Sequence, residues 1–273
     1  MKKILVTGSE GYIGQHLCKM LSETTDHDVY RLDKKINFDV VYDLEDYLFS
    51  FNDMPWEFDT IIHLAALVRV GESVSKPTQY YTNNVQGTIN LLNRLECKNF
   101  IFASTGAAES PDSPYGFSKR IAEDIVKEIC KSNNSNYTIF RFYNVIGTDG
   151  YPPTNPDGLF YNLIEASKTG QFTVYGNDYN TSDGTCLREY VHVNDICRVI
   201  IKAIENPSNN IENLAYGNPK TVGEIIDYFK QTNLVDFEVK FIAKRPGDLE
   251  ACYLKNPSKY MECNYTYYEM LTI

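Results

Sequence analysis

The chain has 273 residues, 43% hydrophobic and 23% charged, a globular balance that excludes a disordered or fibrous protein. Its 26 Lys and Arg against 36 Asp and Glu leave a net charge of −10, the wrong sign for general binding to nucleic acid or an anionic membrane. No apolar run approaches the roughly 20 residues of a membrane span, and the opening MKKILVTGSEG has too few apolar residues for a secretory signal. Seven cysteines without a C-x-x-C pair predict reduced thiols in a cytoplasmic protein, with no disulfide framework and no metal site.

Lys3–Thr7 reads as a buried strand and Gly11 to about Ser22 as the helix that follows it. Strands are then expected at Asp28–Leu32, Asp59–Leu64, Phe100–Ala103 and Thr138–Phe142. Between the last two, Phe117, Ile121, Ala122, Ile125, Val126 and Ile129 recur at helical spacing, predicting one buried helix face over Gly116–Cys130. Strand–helix alternation of this kind predicts an α/β, doubly wound parallel sheet of Rossmann type. From Thr148 to Gly158 turn formers dominate, and shorter elements follow, including a helix at Val222–Lys230. The expected organisation is a dinucleotide-binding domain over 1–147, completed by part of 186–216, and a smaller substrate-binding cap over 148–273.

Gly8-Ser9-Glu10-Gly11-Tyr12-Ile13-Gly14 follows the first strand and opens the first helix. Glycines there let the backbone approach a pyrophosphate seated on the helix N-terminus. Asp33, 19 residues after Gly14, is spaced to hold the adenosine ribose, and its charge favours NAD over NADP. Further on, Tyr115 and Lys119 stand at i, i+4 on one helix face. A neighbouring ammonium lowers a phenol pKa, which makes Tyr115 a candidate general base. Ser104 and Thr105 place hydroxyls at a strand's carboxyl end, where open α/β sheets bind ligands.

These motifs, with His63-Leu64-Ala65-Ala66, Tyr80 to Thr88, Gly176 to Tyr179, Arg188 to Val193 and Arg245 to Leu249, resemble the extended short-chain dehydrogenase/reductases. Within that family the chain is similar to the UDP-glucose 4-epimerases. The resemblance implies Tyr115 as base, Lys119 on the nicotinamide ribose and Thr105 orienting the sugar hydroxyl. It implies that Gly8, Gly11, Tyr12, Ile13, Gly14, Asp33, Asp43, Leu44, Leu64, Ala65, Ala66, Asn84, Ser104 and Phe142 contact NAD. On the substrate side it implies Tyr143, Asn144, Asn162, Leu163, Tyr175, Arg188, Arg245 and Asp248, with Cys252 against the sugar's C2 substituent. It also implies a homodimer built on helices near Pro77–Leu95 and Tyr115–Lys131. In the second of these, Arg120, Glu123, Asp124 and Lys127 read as a solvent face.

Two positions depart from the family pattern. Only nine residues, Gly106 to Pro114, separate Thr105 from Tyr115, and Val68 stands where the family carries a lysine. The expected activity is NAD-dependent 4-epimerisation of UDP-glucose and UDP-galactose through a 4-keto sugar, with the N-acetyl forms also admitted. A 4,6-dehydratase needs an acid and a base after Thr105, where Gly106 and Ala107 transfer no proton. A decarboxylase, a nucleotide-sugar reductase and a non-catalytic dinucleotide-binding protein remain the alternatives.

Overall fold

The computed structural model describes residues 1–34, 40–41, 55–245, 249–254 and 256–273. Two compact units divide the chain, Met1–Arg141 with Cys197–Glu212, and Phe142–Ile196 with Asn213–Ile273.

In the first unit the strands are β1 (Lys3–Thr7), β2 (Asp28–Asp33), β3 (Val40–Val41), β4 (Glu57–His63), β5 (Glu96–Thr105) and β6 (Asn136–Phe142). Its helices are α1 (Tyr12–Thr24), α2 (Val70–Ser75), α3 (Pro77–Tyr81), α4 (Gly87–Arg94) and α5 (Pro114–Ser132). The sheet runs β3-β2-β1-β4-β5-β6 and ends on residues Ile211–Leu214. That is the strand order of a dinucleotide-binding sheet. The pairs β1–β2, β1–β4, β2–β3 and β4–β5 are parallel.

Ile4, Leu5 and Val6 are fully buried on both faces of β1, as a parallel sheet covered by helices requires. Strand β5 begins at Glu96 rather than Phe100, because Glu96, Cys97 and Asn99 extend the ladder against Glu57, Phe58 and Thr60 of β4. The chain order reverses at β1, whose neighbours are β2 on one side and β4 on the other. The glycine turn leaves the sheet there, at the crevice where such sheets take ligands.

In the second unit Ile146, Phe160, Leu163, Tyr190 and Phe229 form a separate core. The unit's elements in chain order are β7 (Asn144–Ile146), α6 (Leu159–Thr169), β8 (Gln171–Tyr175), β9 (Leu187–Arg188), β10 (Tyr190–His192) and the start of α7 (Val193–Glu205). Next come β11 (Ile211–Leu214), β12 (Lys220–Thr221), α8 (Val222–Asn233), β13 (Glu238–Ile242) and β14 (Ala251–Cys252). Helix α7 and strand β11 cross the boundaries between the units.

Candidate active site

The turn after β1 needs its glycines for measurable reasons. Gly8 has φ +70°, the left-handed region that disfavours a side chain. A Cβ on Gly14 would stand 2.2 Å from the Gly8 carbonyl oxygen and 2.8 Å from Ser9 Cα, so only hydrogen fits. Gly11 caps α1 without a side-chain cap hydrogen bond. Asp33, at the carboxyl end of β2, accepts the Glu10 N–H at 2.9 Å, and Glu10 pairs with Arg31 and Gln15. A tight glycine turn, an uncapped helix start and a carboxylate beside them suit a dinucleotide carrying a pyrophosphate and a ribose diol. Asp43 and Leu44 lie outside the described residues.

The nine residues from Gly106 to Pro114 are a short link with a cap at each end. The Thr105 hydroxyl accepts the Ala107 N–H at 3.3 Å and starts a single 3-10 turn, Gly106–Ala108. Ser113 caps α5, accepting the Gly116 N–H at 3.3 Å, and Pro114 occupies the first helical position. Gly116 lets the helix approach this link, since a Cβ there would meet the Ala107 carbonyl oxygen at 3.0 Å. The two caps close the short link between Thr105 and Tyr115, and the Thr105 hydroxyl acts on the Tyr115 phenol.

Lys119 follows one turn along α5, is 3% exposed, and rests its ammonium 4.1 Å from the centre of the Phe102 ring. Contrary to the sequence expectation, the phenol is not lowered by its neighbour. Burial raises Tyr115 to about 12, with the Thr105 hydroxyl acting the other way. Burial lowers Lys119 to about 7, opposed by the Glu123 carboxylate. Desolvation outweighs the ammonium's influence on the phenol.

Asn84 lies in a π-helical turn, Thr82–Gln86, between α3 and α4, a local distortion frequent at functional sites. Its side chain accepts the Leu67 N–H at 2.8 Å and donates to the Leu67 carbonyl and to Ser118 Oγ, each at 3.0 Å. Ser118 in turn donates to the Tyr115 carbonyl at 2.8 Å, so Asn84 is tied to the helix that carries the tyrosine. His63 is buried between Thr7 Oγ1 at 2.7 Å and Thr88 Oγ1 at 3.0 Å, and burial lowers it to about 3. Its neutral ring joins β1, β4 and α4. Leu64, Ala65 and Ala66 are half-buried beyond the end of β4, and Val68 is exposed.

Two groups, Glu123 and Arg141, escaped the sequence reading. Glu123, assigned there to solvent, is fully buried, and its carboxylate takes both ends of the Arg141 guanidinium, at 2.8 and 2.7 Å. It also accepts the Ser104 hydroxyl at 2.5 Å. The signal was present: Tyr115, Lys119 and Glu123 repeat at i, i+4 and i+8, and Arg141 interrupts the apolar run of β6.

The second unit carries the substrate-side candidates. Asn162 is engaged with the Pro156 and Gly158 carbonyl oxygens, both at 2.8 Å, and Leu163 is core. Phe142 is buried and Tyr143 half-buried, while Asn144 donates its side-chain amide to the Glu189 carbonyl at 2.9 Å. The Arg188 guanidinium donates to the Leu187 carbonyl at 2.9 Å and the Leu249 carbonyl at 2.7 Å. Arg188 is paired with Cys252 across β9 and β14. The Arg245 guanidinium lies 4.1 Å from the centre of the Tyr175 ring. Asp248 lies outside the described residues.

Residues 4–216 match the NAD dependent epimerase/dehydratase family. A curated UDP-glucose 4-epimerase of Pasteurella multocida is 30% identical over 96% of this chain and 92% of its own length. A crystal structure of UDP-glucose 4-epimerase from Bifidobacterium longum in complex with NAD+ and UDP is similar, with TM-score 0.84 and 26% identity. That likeness covers 98% of this chain and 96% of the other. The UDP-Glc/GlcNAc 4-epimerase of Campylobacter jejuni follows at TM-score 0.80 and 27% identity, covering 99% and 97%. With a strand order, glycine turn and Tyr-Lys helix that fit this kinship, the chain belongs to the NAD dependent epimerase/dehydratase family.

Proposed function

We propose that this protein is an NAD-dependent nucleotide-sugar 4-epimerase acting on UDP-hexoses, with Thr105, Tyr115 and Lys119 as its catalytic group. The observation that carries this reading is the half-buried Tyr115 at the start of α5, one helical turn from the buried Lys119 and a short link from Thr105, in a chain of this family. When bound, NAD supplies a reversible hydride acceptor for sugar C4. Tyr115 takes the proton of the C4 hydroxyl and returns it to the opposite epimer. Thr105 orients that hydroxyl, and Lys119 holds the nicotinamide ribose. The glycine turn and the start of α1 hold the pyrophosphate, and Asp33 holds the adenosine ribose. Gly106 and Ala107 beside Thr105 supply no acid or base, which disfavours loss of water from the sugar.

In the second unit, Arg188 and Arg245 are assigned to the diphosphate, where a planar guanidinium bonds bidentately, and Tyr175 to the uracil. Cys252 leaves room for an N-acetyl group at C2. The test is to incubate the purified protein with UDP-glucose, UDP-galactose and their N-acetyl forms and to follow each epimer. Exchange within at least the plain hexose pair is expected; no exchange in any of the four would overturn the reading.

The assembly we infer is a homodimer. Helix α5 turns Phe117 and Ile121 outward, 45% and 41% exposed, and Val70, Val74 and Tyr81 of α2 and α3 are exposed as well. Beside them an open groove of about 440 Å³ is lined by Ile89, Asn93, Asp124, Ile125, Glu128 and Ile129 of α4 and α5. Exposed apolar groups clustered on neighbouring helices mark an association surface. Among the described residues no helix is long and apolar enough to cross a membrane. None of the seven cysteines forms a disulfide, which fits a reducing, cytoplasmic setting.

A further inference from the structure

One buried carboxylate gathers three elements behind the Tyr115–Lys119 pair. Glu123, from α5, is 0% exposed and receives Nε and Nη2 of Arg141, from β6, together with the hydroxyl of Ser104, from β5. Replacing a buried ion pair by well-packed apolar residues is commonly neutral or stabilising, so stability alone does not call for charge here. Its position does. Glu123 is one turn beyond Lys119, and Ser104 immediately precedes Thr105 in the chain. With its proton committed to Glu123, the Ser104 hydroxyl presents only acceptor lone pairs elsewhere.

We propose that Glu123 is a positioning residue for the reaction: clamped by Arg141, it fixes the Ser104 hydroxyl and supplies the buried negative charge that sets the ionisation of the Tyr115–Lys119 pair. This rests on the epimerase reading for the roles of Tyr115 and Lys119. The titratable and charged groups around Lys119 are Tyr115 and Glu123 on its own helix, His63 on β4 and Arg141 behind Glu123. On the α3 side, the Tyr80 ring meets Tyr115 edge-on at 6.3 Å, with its hydroxyl 3.2 Å from Glu72 of α2. His63 is neutral, and Tyr80 is raised to about 12 chiefly by burial, so Glu123 is the anionic group of this set nearest to Lys119 in the chain.

The test uses NAD-loaded protein and two readouts, ultraviolet titration of the phenol against a Tyr115→Phe blank and the pH profile of epimerisation. Glu123→Gln leaves the Arg141 cation uncompensated. It should move the ionisations of Tyr115 and Lys119 to lower pH by about one unit, with kcat about tenfold lower and KM within about twofold. Glu123→Asp, which keeps the charge, should restore the wild-type titration. A folded Glu123→Gln protein with an unmoved titration, or Gln and Asp variants that behave alike, would overturn the proposal. Should the single variant not fold, Glu123→Gln with Arg141→Met removes both charges. A smaller shift in the same direction is then expected, and wild-type titration and kcat in that protein would overturn the proposal. The titration needs no turnover, so an inactive wild type with a shifted phenol would overturn the epimerase reading alone.

Discussion

Tyr115 and Lys119 meet the same desolvation with opposite consequences. Burial holds the phenol protonated, at about 12, and makes the ammonium easier to discharge, at about 7. A base of this kind works only when substrate and a neighbouring positive charge favour phenolate. Tyr115→Phe keeps the ring and removes the proton carrier. Turnover should fall by about 10² to 10⁴, while NAD and UDP-sugar binding, measured by calorimetry, change little. Near-wild-type turnover would remove Tyr115 from the reaction. Substrate size is a second matter at this scale. Cys252 is half-buried in β14, opposite Arg188 of β9. Cys252→Tyr should selectively reject the N-acetyl sugars by filling their volume, and equal slowing of acetylated and plain hexoses would show that this position sets no size limit.

At the level of elements, the glycine turn and helix α5 do most of the positioning. Gly14→Ala forces a methyl into the Gly8 carbonyl, so NAD affinity in a fluorescence titration should drop at least about tenfold. Unchanged affinity would mean that the turn does not carry the cofactor. Much of this level was legible from sequence. Uninterrupted apolar runs marked the central strands, and glycine spacing marked the turn, because backbone sterics dictate both. The faces of α5 were not legible. Helical periodicity predicted Phe117 and Ile121 inside, yet α5 buries Ser118, Lys119 and Glu123 with Ala122 and Val126 and turns those two apolar residues outward. A periodicity argument equates buried with apolar. It fails where one helix buries charge and exposes hydrocarbon. The pairing of Glu123 with Arg141 was missed for the same reason: each residue stood out by itself in the sequence, but partners 18 residues apart on different elements leave no local signature of the bond between them. What outward-facing Arg120, Asp124 and Lys127 do is plainer: Asp124 pairs with both cations along one helix face.

For the whole molecule, two properties follow. Neutral His63 inside the first unit is held at about 3 by burial, below its ordinary 6.5. The unfolded chain binds this proton more readily, so the contribution is fully present above about 6.5 and is lost as pH falls toward 3. The melting temperature should therefore decline from pH 7 to 5, and more steeply than in His63→Gln; identical slopes would contradict the assignment. Association is the second property. If Phe117 and Ile121 face a second copy, wild type should scatter light as a dimer at micromolar concentration and Ile121→Arg as a monomer, with the melting curve reporting that the variant is folded. A monomeric wild type would count against the interface.

In the proposed reaction one sugar carbon is oxidised and reduced again within a single binding event. UDP-glucose deuterated at C4, incubated with NAD-loaded protein in ordinary water, tests it directly by mass spectrometry and proton NMR. The expected product is UDP-galactose that retains the deuterium at C4, in a mixture that reaches equilibrium without net consumption of NAD. Galactose product that has lost the label to solvent, or label trapped in accumulating reduced cofactor with no epimer formed, would contradict it.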